Sequence, residues 1–252
     1  MTPTELWNIS ATALHTPQYI ANYIQELGSF LPSREAAILD TACGSGFPSL
    51  ELYKEGYRNI ICSDGDREAL EIFQQEAKKE NANIPVIWSS WQDLTKKVEQ
   101  MFDVVLNVDN SFVYFDGWPS QKYHVSSGEE MFMRAGIILK NFYDLLNDKG
   151  TLIVGIAKNN REDVHHAVTK LEGKTWHGKS VDVVWDMYYD WEKRIKNWTA
   201  LTEVEGELHR LEGQSYLITK EELANLFEQT GLQNVIIKES GEAYENFIIG
   251  QR

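Results

Sequence analysis

The residues richest in chemical meaning form one run, Ile38-Leu39-Asp40-Thr41-Ala42-Cys43-Gly44-Ser45-Gly46-Phe47-Pro48-Ser49. An apolar stretch ends in an acid, and a Gly-Ser-Gly turn then leads into a helix-like segment. Gly44 and Gly46 permit positive φ and close backbone approach to a ligand. A lone Gly-x-Gly turn is also an ordinary strand-to-helix connection, so its neighbours decide its meaning. Asp64 closes the next apolar stretch, 24 residues after Asp40. A carboxylate there can accept hydrogen bonds from both hydroxyls of a ribose. Ser49 stands where a dinucleotide-binding turn has its third glycine. Asp40 would repel a pyrophosphate but suits the ammonium of a methionine moiety. Ser90-Trp91-Gln92-Asp93 follows the third apolar stretch, with Trp91 able to cover an adenine and Ser90 to bond its edge. These residues describe a pocket for adenosine joined to an amino acid, and they argue against NAD.

A second group of residues could face whatever reacts there. Asp109-Asn110-Ser111-Phe112-Val113-Tyr114 follows a fourth apolar stretch. Asp109 either recognises a cationic or ammonium-bearing group or caps the following turn. Tyr114 is either a hydrogen-bond donor to a substrate or a core aromatic. Lys158 follows the fifth apolar stretch. Further on, Tyr188, Tyr189 and Trp191 could wall in a cation, or form a packed β-face or a subunit contact that leaves a homo-oligomer open. The sequence has no His/Cys spacing for zinc and no acidic cluster for magnesium, so no metal is expected. His165 and His166 read as a solvated pair on a helix. His124 is the one histidine between the fourth and fifth strands and would be the candidate base for a hydroxyl acceptor.

The elements that must position these groups follow from periodicity. Helices are predicted over Pro17–Leu31, Ser49–Glu55, Arg67–Asn81, Glu129–Leu146 and Lys220–Gln229. Strands are predicted at Ala36–Asp40, Asn59–Asp64, Val86–Trp88, Phe102–Asn107 and Thr151–Ile156. This alternation predicts parallel βαβ units with helices on both faces, and ligands bind along the edge where the strands end. After Asp163 the pattern changes. Val181–Trp185, Ile195–Thr199 and Glu207–Ile218 alternate in period two, as antiparallel strands do. Asn234–Lys238 and Asn246–Ile249 pair as a hairpin through the short link Glu239–Glu245. The expected fold is therefore α/β: a Rossmann-like, doubly wound, mostly parallel seven-stranded sheet. It has a C-terminal antiparallel hairpin and an inserted antiparallel β lid. Residues 1–33 are expected to form an N-terminal helical cap, 34–163 and 219–252 the Rossmann-like domain, and 164–218 the insertion over the site.

The 252 residues carry a formal net charge of −14, which disfavours nucleic acid and anionic membranes as partners and is compatible with a cationic or zwitterionic small molecule. A soluble acidic surface explains the charge equally well. No apolar stretch is long enough for a membrane-spanning helix. Cys43 and Cys62, one in a glycine turn and one in a strand, read as free thiols. With no basic-then-apolar leader, the cytoplasm is the expected location.

Leu39-Asp40-Thr41-Ala42-Cys43-Gly44-Ser45-Gly46, Ser63-Asp64, Ser90-Trp91 and Asn110-Ser111-Phe112 resemble the successive motifs of class I S-adenosylmethionine-dependent methyltransferases, nearest to the glycine and sarcosine N-methyltransferase group. The likeness covers roughly Ala36 to Ile156. It implies that Ala42 and Gly44 line the methionine end of the cofactor, Asp64 and Gly65 the ribose, and Ser90 and Trp91 the adenine. It also implies that Val108, beside Asn107, offers its backbone to the methionine ammonium and that Asn110 contacts the substrate. His15 occupies the place of a cofactor-binding arginine, Asp109 that of a glycine, and Lys158 that of an arginine that grips a substrate carboxylate. Lys158 keeps the charge but not the bidentate fork. The implied activity is methyl transfer to nitrogen of a small amine, amino acid or guanidino metabolite, and the departures at Asp109 and Lys158 point to an acceptor other than glycine. An O-methyltransferase and a non-catalytic cofactor-binding subunit stand as alternatives.

Overall fold

The computed structural model describes residues 1–116, 128–241 and 243–252. Seven strands form one sheet: β1 (Ile38–Asp40), β2 (Ile60–Asp64), β3 (Val86–Trp88), β4 (Phe102–Asn107), β5 (Leu146–Ala157), β10 (Gln233–Lys238) and β11 (Glu245–Gln251). Their order is β10-β11-β5-β4-β1-β2-β3. The first five strands run parallel, whereas β11 pairs antiparallel with both β5 and β10. The expected sheet and hairpin are both present. β1 sits between β2 and β4, so the winding reverses there and opens a crevice beyond the ends of β1 and β4.

The sheet is a buried layer between two cores. On one face, α2 (Pro17–Gly28), α3 (Ser49–Lys54) and α4 (Arg67–Lys79) pack Tyr23, Leu27, Leu52 and Phe73 against Ile38, Val104 and Leu106. On the other, α5 (Leu94–Lys97), α6 (Gly128–Asp144) and α7 (Lys220–Thr230) pack Leu94, Leu139, Phe142 and Phe227 against Leu39, Val105 and Val154. β1 is buried on both faces, which explains why it reads as a continuous apolar run without alternation.

A second sheet joins β6 (His166–Trp176), β7 (Lys179–Asp190), β8 (Ile195–Val204) and β9 (Glu207–Tyr216) in chain order, all antiparallel. Its first strand departs from expectation. His165 and His166 do not lie on a helix; His166 opens β6. This edge strand alternates exposed with half-buried residues and carries Lys170 and Lys174, so its apolar signal is weak, as suits an edge.

A helix that apolar periodicity does not reveal, α1 (Pro3–Thr12), lies between the second sheet and the crevice. Its start is written in the spacing Thr2…Glu5, a reciprocal capping box with Pro3 in the first turn. Leu6 packs on Trp198, Ala200 and Leu211, and Ile9 on Val181 and Val183. Ser10 and Thr202 share a buried hydrogen bond of 2.7 Å.

The sheet edge also holds a buried acid. Glu245, at the start of β11, is fully buried and accepts the N–H groups of Asp109 (3.0 Å) and Asn110 (2.7 Å). Gly155 on β5 leaves room for it: a Cβ there would lie 2.1 Å from Glu245 Oε2. Gly155→Ala should therefore destabilise the fold by about 2–4 kcal/mol, measured by urea denaturation. A loss under about 0.5 kcal/mol would show that the carboxylate moves freely.

Candidate active site

Beyond the ends of β1, β2 and β4 lies a cavity of about 420 Å³, a size suited to a nucleoside-bearing ligand. Its floor is the turn after β1. Gly44 has φ +49, and a Cβ there would meet nothing within 4 Å, so this backbone faces open space. The turn is braced from beneath. Asp64 Oδ2 accepts the Gly44 N–H (2.9 Å) and Oδ1 the Asp66 N–H (2.9 Å). A carboxylate has about four acceptor positions, so Asp64 retains capacity toward the cavity it lines. Burial pushes it up to about 6 against the pull of those N–H groups.

The roof is α1. Asn8 Oδ1 accepts the Ser45 hydroxyl, and Thr4 donates to Asp66 Oδ2 (2.6 Å). Trp7 meets Tyr114, Trp185 and Trp198 at ring-centroid distances of 6.1, 5.4 and 5.3 Å. At one side Trp91 donates to the Thr41 carbonyl and stacks on Phe112. At the opposite end stands Asp109, beside Ser111 and Tyr114 on the 3₁₀ turn Ser111–Tyr114.

Asp109 and Asn110 both have left-handed backbones, φ 60 and 54, rare for residues with a Cβ. This conformation turns the Asp109 side chain toward the cavity while both amides point at Glu245. Tyr244 donates to Asp109 Oδ1 (2.7 Å), and His15 Nε2 lies 3.9 Å from it. Burial disfavours the Asp109 anion, but His15 and Tyr244 outweigh it and hold the carboxyl below its ordinary range. The described lining acids are Asp64, Asp66, Asp109 and Asp116, against one histidine. Asp116 is paired with Arg134 at 2.6 Å.

The cavity thus gathers His15, Ala42, Gly44, Asp64, Gly65, Ser90, Trp91, Asp109 and Tyr114 from five separate stretches of chain. Other expected site residues serve elsewhere. Asp40 does not line the cavity. It is fully buried beneath the turn, accepting from Ala42 N–H (3.1 Å) and Ser49 Oγ (2.6 Å), so Ser49 completes the brace. Gly46 packs on Leu50. Asn107 ties Thr41 (2.9 Å), and the Val108 carbonyl accepts the Ser111 N–H. Asn110 turns inward, its Oδ1 accepting the Ala157 N–H at 2.9 Å.

The three residues expected to hold substrate do not line the cavity. Lys158 lies toward Glu239. Tyr188 is 54% exposed and stacks on His166. Trp191 donates to the Val164 carbonyl (2.8 Å). The reason is the strand pleat, which sends neighbours to opposite faces: Tyr189 points inward and Tyr188 outward. The aromatic residues at the acceptor end of the cavity are instead Trp7 and Tyr114, with Trp185 and Trp198 packed behind Trp7. Trp7, Asn8 and Thr12 are cavity residues that sequence reasoning missed, and the Thr2–Glu5 capping spacing was the signal that could have found them. His124 lies outside the described residues. No group of three or more possible metal ligands occurs among the described residues.

Comparison with known proteins adds independent findings. Residues 38–123 match the family model described as a methyltransferase domain. A glycine/sarcosine N-methyltransferase from Aphanothece halophytica is 24% identical over 148 residues, 58% of this chain and 53% of that protein. The chain therefore spans about half the length of this curated relative. Among solved structures, DesVI from Streptomyces venezuelae superposes with TM-score 0.72 at 17% identity, covering 98% of this chain and 95% of that one. An amino pentose methyltransferase from Micromonospora echinaspora, solved with S-adenosylmethionine bound, gives 0.69 at 13% identity, covering 93% and 90%. At these identities the structural likeness concerns the fold.

The buried acids make stability depend on pH. Burial, aided by the Asp109 charge, pushes Glu245 up to about 8 despite the hydrogen bonds it accepts, and burial pushes Asp40 up to about 7. The unfolded chain releases these protons near pH 4. Between those values the folded state binds more protons, so unfolding free energy falls as pH rises. Asp109, being lowered, acts in the opposite sense and only at more acidic pH. Urea titrations should show wild type losing on the order of 2 kcal/mol more than Glu245→Gln between about pH 6 and pH 8. Equal losses would mean Glu245 is already ionised at the lower value.

Proposed function

We propose that this chain, whose residues 38–123 form a methyltransferase domain on the fold of S-adenosylmethionine-dependent methyltransferases, transfers a methyl group from S-adenosylmethionine to nitrogen of a small amine. The observation that carries this reading is the joint opening of the Gly44 turn, Asp64 and Asp109 onto one cavity. The residues fit the donor. Gly44 opens a cradle without a Cβ, and Asp64 has acceptor positions left for two ribose hydroxyls. Ser90 and Trp91 flank the place of an adenine, and His15 Nε2 is buried without a hydrogen-bond partner, available to a carboxylate.

When bound, S-adenosylmethionine supplies a methyl already activated by its sulfonium charge. The protein orients the acceptor and excludes water. Four acidic side chains around the cavity favour cationic ligands. Asp109 receives the amine through an N–H···O⁻ hydrogen bond. A carboxylate held below its usual range is a weak base, so it orients the nitrogen rather than taking its proton. The amine must lose that proton to solvent before its lone pair can attack. Trp7 and Tyr114 close the acceptor end with aromatic surface. Support for nitrogen rather than oxygen as acceptor comes from Asp109 and from the N-methyltransferase activity named for the glycine/sarcosine relative. In this reading residues 34–163 and 219–252 hold the donor and 164–218 back the acceptor end. No described helix is long and apolar enough to cross a membrane, and both cysteines are free thiols, which supports a reducing cytoplasm as the working location.

Calorimetry should detect binding of S-adenosylhomocysteine, and Asp64→Ala should weaken it about 30- to 100-fold through loss of two charge-assisted hydrogen bonds. An unaltered affinity would remove Asp64 from the site. With labelled donor and a panel of amines, kcat/KM should rise with pH until the acceptor is deprotonated. Asp109→Asn should lower it about 10- to 100-fold. Transfer to alcohols but to no amine would replace this reading with O-methylation.

A further inference from the structure

The described residues that line the cavity include no lysine and no arginine. Four acids line it, Asp64, Asp66, Asp109 and Asp116, and His15 is the single described lining residue able to become a cation. Arg134 stands outside this lining and is paired with Asp116 and Glu130. The methyl donor carries a carboxylate at its amino-acid end. An ionised carboxylate taken into an acidic cavity is costly unless a cation meets it. With the nucleoside at Asp64, Ser90 and Trp91, the amino-acid end crosses the turn after β1 toward His15. The His15 ring lies 4.2 Å from the ring of Phe47, which belongs to that turn.

His15 is fixed in place. Its side chain is 8% exposed, and Nε2 lies 3.9 Å from Asp109 Oδ1, an ion-pair distance rather than a hydrogen bond. Tyr19 stacks on its ring at 5.7 Å. The titratable groups around it are Asp109 after β4, Tyr19 and Tyr23 on α2, and Tyr244 and Glu245 where β11 begins. Burial and the nearby acids push all three tyrosines up, so they stay neutral and bring no charge to the donor. Glu245 is pushed up to about 8. Its ionisation favours a charged imidazole and makes any pH slope shallower.

We infer that His15 makes donor capture conditional on a proton: an imidazolium shared by the donor carboxylate and Asp109 forms on binding, so donor affinity falls as pH rises. This rests on the methyl-transfer reading and adds a control to it. Histidine changes charge between about pH 5 and pH 8, whereas an arginine in this place would stay charged. In the free protein one carboxylate faces Nε2. In the complex two do, and the second favours the charged form further. The complex therefore binds more protons than its separated parts, and affinity decreases with pH by linkage. Asp64 acts in the opposite direction. Burial pushes it up to about 6, and its ionisation strengthens its hold on ribose hydroxyls. The two effects separate because Asp64 meets the nucleoside and His15 the amino-acid end.

Calorimetry on the full chain can compare S-adenosylhomocysteine with methylthioadenosine, which shares the nucleoside and sulfur but lacks the amino-acid end. The ratio of the two affinities should fall at least about fivefold between about pH 6 and about pH 8. In His15→Arg the ratio should stay high at both values. In His15→Gln it should be low at both, about tenfold below wild type at the lower pH. Should His15→Gln fail to fold, loss of the slope in His15→Arg decides. A wild-type ratio independent of pH, or the wild-type slope retained in either variant, overturns the proton link alone. Failure of wild type to bind either ligand overturns the donor reading beneath it.

Discussion

Two consecutive backbone amides at the end of β4 point at one buried carboxylate, and much of the site depends on that contact. Glu245 receives the N–H groups of Asp109 and Asn110, and Tyr23 from α2 donates to the same group. Left-handed backbone at two successive non-glycine residues costs on the order of 1–2 kcal/mol each and persists where surrounding structure fixes it. Here the fixing group comes from the last strand of the sheet, and the space it occupies is the Cβ position that Gly155 lacks. The C-terminal hairpin, the second helix and the switch-point loop are thereby tied at one place. The loop that faces the acceptor is a rigid part of the sheet edge.

The same contact sorts the acids by ionisation. Glu245 and Asp40 lie where water does not reach, so burial favours their neutral forms. Asp109 lies 26% exposed at the cavity wall, beside His15 and the Tyr244 hydroxyl, and is held ionised. Carboxyl groups of similar chemistry thus take structural and ligand-facing roles according to their surroundings. Glu245 and Asp40, raised by burial, brace the backbone, and Asp109, held below its ordinary range, faces the cavity.

The second sheet acts on the crevice through an intermediary. α1 is wedged between them, using its apolar side for the sheet and Trp7, Asn8 and Thr12 for the cavity. Its hydrogen bonds to Ser45 and Asp66 fasten it to the donor turn. A single amphipathic helix therefore closes the donor end and, through the cluster of Trp7 with Tyr114 and Trp198, shapes the acceptor end. Differences in acceptor among proteins of this fold can arise in the sheet behind α1 while the donor turn stays unchanged.

Residues close in the chain were legible from sequence. The parallel strands, the glycine turn, and the ends of β1 and β2 at Asp40 and Asp64 follow from local periodicity and turn chemistry, and the structure brings Ala42, Gly44, Asp64, Ser90 and Trp91 to one cavity as expected. Whether an acid faces a ligand or a backbone amide is a non-local matter. Asp40 and Asp64 end adjacent strands in similar patterns, yet one is sealed under the turn and the other opens beside it. Tyr188 and Tyr189 differ by one position on a pleat whose buried side only the packing of α1 decides. Glu245 and Trp7 gain their places from contacts with residues far along the chain, through burial and packing that no local pattern encodes. Sequence by itself determined the fold and the turn beneath the cavity, because both arise from short-range geometry. The acceptor end was decided by tertiary structure, because it is made where four distant segments meet.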